Sequence, residues 1–109
     1  MATYFRTKVS KDIGTTPVNV LVPGAASRFT IIGCNLANTT DFDVSVSISV
    51  TDASSVTGKY INSMQISPYT SLKVITNGEK LILMENTTLT ITSDTAASID
   101  AIISYAEII

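Results

Sequence analysis

In residues 43–52, DVSVSISVTD, hydrophobic and polar positions alternate without a slip. Val44, Val46, Ile48 and Val50 share one parity; Ser45, Ser47, Ser49 and Thr51 share the other. A period of two is that of a strand with one buried face. The stretch therefore predicts core-facing aliphatics and an outward row of small hydroxyls.

The same reading continues along the chain. Tyr4–Val9 opens as a strand with Phe5, Thr7 and Val9 on one parity, and DIGTTP (12–17) breaks it. Pro17 can precede a strand because its missing N–H costs little there. Val18–Val22 follows, stopped by the turn dipeptide Pro23-Gly24. Phe29–Leu36 is apolar on both parities, which predicts a central strand covered on both sides, with a bulge or close backbone approach at Gly33. After ANTTDFD comes the strand 44–51, then the loop DASSVTG. Lys59–Ile66 carries Tyr60, Met64 and Ile66 on one parity and ends at Ser67-Pro68. Tyr69–Ile75 leads to Asn77-Gly78, a strong hairpin signal. Lys80–Met84 is short and apolar. Thr87–Thr92 turns Leu89 and Ile91 inward and Thr88, Thr90 and Thr92 outward. The final strand, Ile99 to about Ile109, is apolar on both parities. It is expected to be covered on both faces, its second face by the rim of another sheet or by a neighbouring subunit.

Strands recur every 10 to 15 residues and no window has helical periodicity. This predicts an all-β fold: an antiparallel β-sandwich of about eight strands, jelly-roll or immunoglobulin-like. Residues 1–109 read as one sandwich domain, with 1–17 its N-terminal strand and breaker segment.

Composition sharpens the picture. Charged residues make up 15% of the 109, against roughly 25% in an average soluble domain. A free monomer keeps its surface charged to stay soluble. Ser and Thr in place of charge suit a molecule packed against other subunits, so a homo-oligomer is expected. The net charge of −2 argues against nucleic acid. Arg6, Lys8 and Lys11 form a small basic cluster that reads as a solvated edge strand. The single cysteine, Cys34, sits among Ile31, Ile32 and Leu36 and reads as a buried, inert thiol. No apolar leader or stretch long enough for a spanning helix is visible, so no membrane partner is expected. The sequons at Asn38 and Asn86 read as chance in so Thr-rich a chain.

Candidate chemistry is sparse. His is the commonest metal ligand and general base, so its absence removes most hydrolase and metalloenzyme designs, and Cys34 lacks a His for a dyad. No phosphate-cradling glycine motif occurs. Asp41 and Asp43 with Asp52 could suggest calcium, but the two ends are a strand's length apart and read as turn residues. The expectation is a non-enzymatic protein without cofactor or metal. The rows Ser45-Ser47-Ser49 and Thr88-Thr90-Thr92, with Ile108 and Ile109 at the chain's end, are the candidate subunit contacts. Small hydroxyls leave a sheet smooth and uncharged, where solvent-facing strands more often carry Lys or Glu.

Three stretches, KDIGTTPVNV (11–20), TIIGCNLANTT (30–40) and LTITSDTAASIDAIISYAEI (89–108), resemble in order and spacing the small virion structural proteins of tailed bacteriophages, especially cyanophages and related marine phages. One departure is ITNGEKLILMEN (75–86), where Glu85-Asn86 stands in place of that family's Gly-Asp pair. The resemblance implies a compact β-domain built into the particle in multiple copies, as head decoration or cement, or in the neck, tail or baseplate. It implies contacts with copies of itself and other virion proteins, and location in the virion after synthesis in the host cytoplasm. It carries no catalytic residues. The rival from another class is a cellular β-sandwich binding module for carbohydrate or adhesion. Against it stand the absence of Trp and the scatter of Tyr4, Tyr60, Tyr69 and Tyr105.

Overall fold

The computed structural model describes residues 2–75 and 80–109. Among these residues nine strands form: β1 Thr3–Ile13, β2 Val18–Leu21, β3 Arg28–Asn38, β4 Val44–Thr51, β5 Thr57–Ile66, β6 Ser71–Lys73, β7 Leu81–Leu83, β8 Thr88–Ser93 and β9 Ile99–Ile108. One sheet runs β1-β9-β3-β6, with β7 also on β3; the other runs β2-β8-β4-β5. All pairings are antiparallel. β6 pairs with Asn35–Ala37 and β7 with Phe29–Ile31, so two short strands share one edge of β3 and fill one strand position. With that merger the two four-strand orders are those of a jelly roll. An immunoglobulin domain divides its strands differently between the sheets. The Asn77-Gly78 turn lies outside the described residues.

The core sits between the sheets. Val44, Val46 and Ile48 from β4, Leu89 and Ile91 from β8, and Ile99, Ala101 and Ile103 from β9 are all fully buried. Phe29 and Tyr105 meet with ring centroids 4.6 Å apart. Pattern and packing agree here because each strand has one dry face, which fixes its register.

Two expectations are corrected. β3 is central, but its second face is not covered. The register slips between Ile31 and Gly33, a bulge at the position Gly33 predicted. The extra residue reverses the parity, so Phe29 and Ile31 before it and Cys34 and Leu36 after it all point inward, while Ile32 is left exposed. β9 is also central, between β1 and β3; its outward Ile102 is 47% exposed, so the rim of the other sheet does not cover it and a neighbouring subunit remains the expected cover. The first strand also outruns its expected end: it continues through an irregularity after Ser10 to the buried Ile13. Asp12 sits there in the left-handed region (φ 57°), its N–H donating to Asp100 Oδ1 at 3.0 Å. Gly14 then passes so close to the β8–β9 loop that a Cβ would lie 2.9 Å from the Ala97 nitrogen.

Candidate functional site

The structure brings the two hydroxyl rows together. Adjacent strands β4 and β8 set Ser47 opposite Thr92, Ser49 opposite Thr90 and Thr51 opposite Thr88, all half-buried on the outward face of the four-stranded sheet. Neighbouring strands extend the array. Thr90 Oγ1 donates to Asn19 Oδ1 on β2 at 3.0 Å, and Thr51 and Thr57 share a hydrogen bond of 2.8 Å between β4 and β5. Lys59 is the one charged residue within the four strands of this sheet. A shallow depression of about 330 Å³ opens among Ser45, Ser47, Lys59, Ser63, Thr92 and Asp94. Within it the Ser47 hydroxyl accepts from the Ser63 N–H at 2.9 Å, and Asp94 Oδ1 accepts from the Ser45 N–H at 3.1 Å.

Ser47 has a second duty that the alternation does not reveal. The β4–β5 register shifts twice, between Val46 and Ile48 and between Ile48 and Ser49. Ser63 lies in the displaced part of β5 with φ 52°, and its N–H donates to Ser47 Oγ at 2.9 Å. This hydroxyl holds a bulge, whereas Ser49 is the plainer surface position.

Ile108 and Ile109 lie on the other sheet. Ile108 is half-buried on its outward face, in register with Thr3 and Arg28. Ile109 is exposed, and its backbone exchanges two hydrogen bonds with Ala2. The candidate contacts thus divide between opposite faces of the sandwich.

The second face carries apolar residues that the sequence reading did not assign to it. Across β1, β9 and β3, the register aligns Phe5 with Ala106 and Thr30, and Val9 with Ile102 and Asn35; Ile82 of β7 continues the first row. Phe5 is 78% exposed and Val9 60%, and Ile32, Ile82 and Met84 are also exposed. The available signal is apolar character on both parities, which in β3 reads as a strand covered on both sides and in β9 as cover by a sheet rim or a neighbouring subunit. Below β1, Arg6 Nε donates to Glu107 Oε1 at 2.6 Å and Ser27 Oγ to Glu107 Oε2 at 3.0 Å, and these bonds hold the Glu107 carboxyl below its ordinary range. Because Arg6 is half-exposed, this pair adds little to stability.

Elsewhere the groups are structural. Asp52 Oδ1 accepts from the N–H groups of Ser54 and Val56, shaping its own turn. Among the described residues, no three of Cys, Asp and Glu gather as a possible metal set. Cys34 is buried, and desolvation pushes its thiol up to about 11. Native protein at pH 8 should therefore label with a maleimide far more slowly than protein unfolded in guanidinium. Equal rates would mean that β3 opens to solvent near its bulge.

Compared with known protein families and with curated proteins, the chain matches none.

Proposed function

We propose that the protein is a non-enzymatic structural component of a tailed-phage virion, present in multiple copies and contacting itself and other virion proteins. Its place there is head decoration or cement, or the neck, tail or baseplate. One observation carries this reading: both broad outward faces are uncharged at their centres, one lined by hydroxyls and the other by apolar side chains. A solvated monomer would spread charge over such faces. The resemblance of residues 11–20, 30–40 and 89–108 to phage virion proteins supplies the setting, and the jelly roll, a fold that also serves in capsids, adds only analogy.

Ser49→Lys tests it. The position is half-exposed, and the change leaves the Ser63–Ser47 hydrogen bond in place, so the isolated protein should lose about 0.5 kcal/mol or less. Incorporation into particles should fall, because the ammonium would be desolvated without a partner. Ser47→Lys should cost about 1 kcal/mol more by stranding the Ser63 N–H. The measurement is the copy number of each variant in purified particles. Ser49→Lys at the wild-type number would remove the hydroxyl face from the contact.

The binding-module reading retains one feature of its own. Phe42 and Tyr69 are both exposed, on loops that Asn38 ties together. No Trp accompanies them.

A further inference from the structure

We propose that the outward face of the five-stranded sheet is a self-complementary contact, where two copies of this chain stack sheet on sheet about a two-fold axis running across the strands. This deepens the assembly reading by naming a surface and its occupant, and it rests on that reading for the claim that copies meet at all.

The first ground is β1 itself. Of its eleven residues, nine are exposed and only Ile13 is buried. Fixing each residue's backbone costs about 1–2 kcal/mol, which side-chain burial normally offsets. β1 is held along one edge by β9 and contributes almost nothing to the core, yet it carries Phe5 and Val9 on its outward face. A long strand of this kind gains its burial when a second layer covers it.

The second ground is the face. Its middle consists of Phe5, Thr7 and Val9 on β1, Ile102, Ser104 and Ala106 on β9, and Thr30 and Ile32 on β3, without a charge among them. Four strand positions about 4.8 Å apart and some ten residues long at about 3.3 Å give a face of roughly 600 Å² in projection. Two such faces remove roughly 1,200 Å² from water, which clears the range of specific interfaces.

Charge at the two ends selects the partner and the axis. Asp100 lies on the outward parity at one end of β9, while Arg28, in register with Ile108, lies at the other. An axis across the strands reverses the ends, so Asp100 of each copy comes over the other end of its partner's β9, one strand away from Arg28. An axis along the strands would instead bring Lys73, aligned through Asn35 and Ile102 with Val9, towards Lys11. The two long edge strands are poor alternatives for self-pairing, because Arg6, Lys8 and Lys11 stud β1 and β5 is bulged twice. Such an isologous pair is closed. It leaves the hydroxyl faces outward for other virion proteins.

Sedimentation equilibrium of the full chain tests this. The wild type should be a dimer. Ile102→Lys should weaken dimerisation by at least about 100-fold, as expected for a charge at the centre of an interface. Val9→Lys, on the adjacent strand, should do the same and guards against a folding defect in either variant, which thermal melting checks. Ser49→Lys should leave the dimer intact. Arg28→Asp and Asp100→Arg should each weaken it, and the double variant should associate more tightly than Asp100→Arg alone. Asp100→Arg also removes the bond to the Asp12 N–H, but that loss is common to both arms of the comparison. A wild-type monomer at about 100 μM, well above the micromolar dissociation constants of weak specific pairs, overturns the inference. So does a dimer that survives both Ile102→Lys and Val9→Lys. A dimer broken only by Ser49→Lys moves self-contact to the hydroxyl face, overturning this inference while the assembly reading stands. The assembly reading fails on a different measurement, the particle copy number.

Discussion

Val46→Asp should yield no cooperatively folded protein. Val46 is 0% exposed at the middle of β4, opposite Met64 on β5 and Ser93 on β8. It packs within the aliphatic core shared by both sheets. A carboxylate there would be buried without a cation, at a cost of several kcal/mol even if it took up a proton. A domain of this size has only about 5–15 kcal/mol of stability in all, so that loss removes most or all of it. Circular dichroism and a thermal melt check this against the wild type. A sharp melt for Val46→Asp would mean that the buried parity of residues 44–50 has been assigned to the wrong side.

Asn38→Ala should give the second largest effect, and for a different reason. Asn38 is 2% exposed at the end of β3. Its Nδ2 donates to the carbonyls of Phe42 at 2.8 Å, Ile66 at 3.0 Å and Ser67 at 3.2 Å. Its Oδ1 accepts from the Thr40 N–H at 2.9 Å and the Thr40 hydroxyl at 2.7 Å. One amide thus closes the β3–β4 loop and joins it to the end of β5. At about 1 kcal/mol for each hydrogen bond lost, with shared donors discounted, truncation should cost about 3 kcal/mol. For about 100 residues that lowers Tm by roughly 15 °C. Asn38→Asp should be no better than Ala, since it sets a carboxylate against three carbonyl oxygens. A melt within 3 °C of wild type, below the shift expected for even about 1 kcal/mol, would mean that other groups close these loops.

The same residue shows where sequence reasoning stops. Asn38 reads as part of a chance sequon, and burial now bars it from serving as one in the folded protein. Its partners Ile66 and Ser67 lie 28 and 29 residues further on. No local pattern announces a side chain whose task is to bridge that gap. β4 was legible because its own alternation has no slip and one of its faces is dry. β3 was legible in part: Gly33 pointed to the bulge, but the reversal of parity it causes imitates a strand that is apolar on both sides. In β9 the apolar second parity predicts cover by a sheet rim or by a neighbouring subunit, and the strand order removes the first. The two hydroxyl rows could each be read in sequence. That Ser47 faces Thr92, and that Ile108 belongs to the opposite side, follow from a jelly-roll connectivity that strand spacing does not encode.

The pairing of β1 with β9 also sets the order in which the molecule can be made. Thr3 aligns with Ile108 and Ala2 with Ile109, so among the described strands β1 finds its sheet neighbour in β9, which is made after the seven strands between them. β4 with β5, by contrast, forms a hairpin as soon as residue 66 is out. Phe5 and Val9 therefore sit on an unpaired segment until β9 has been made. Arg6, Lys8 and Lys11, interleaved with them, keep that waiting segment soluble until closure. Sheets dominated by such end-to-end contacts fold slowly, in about milliseconds to seconds. The face that β1 completes accordingly forms only after β9 has been made.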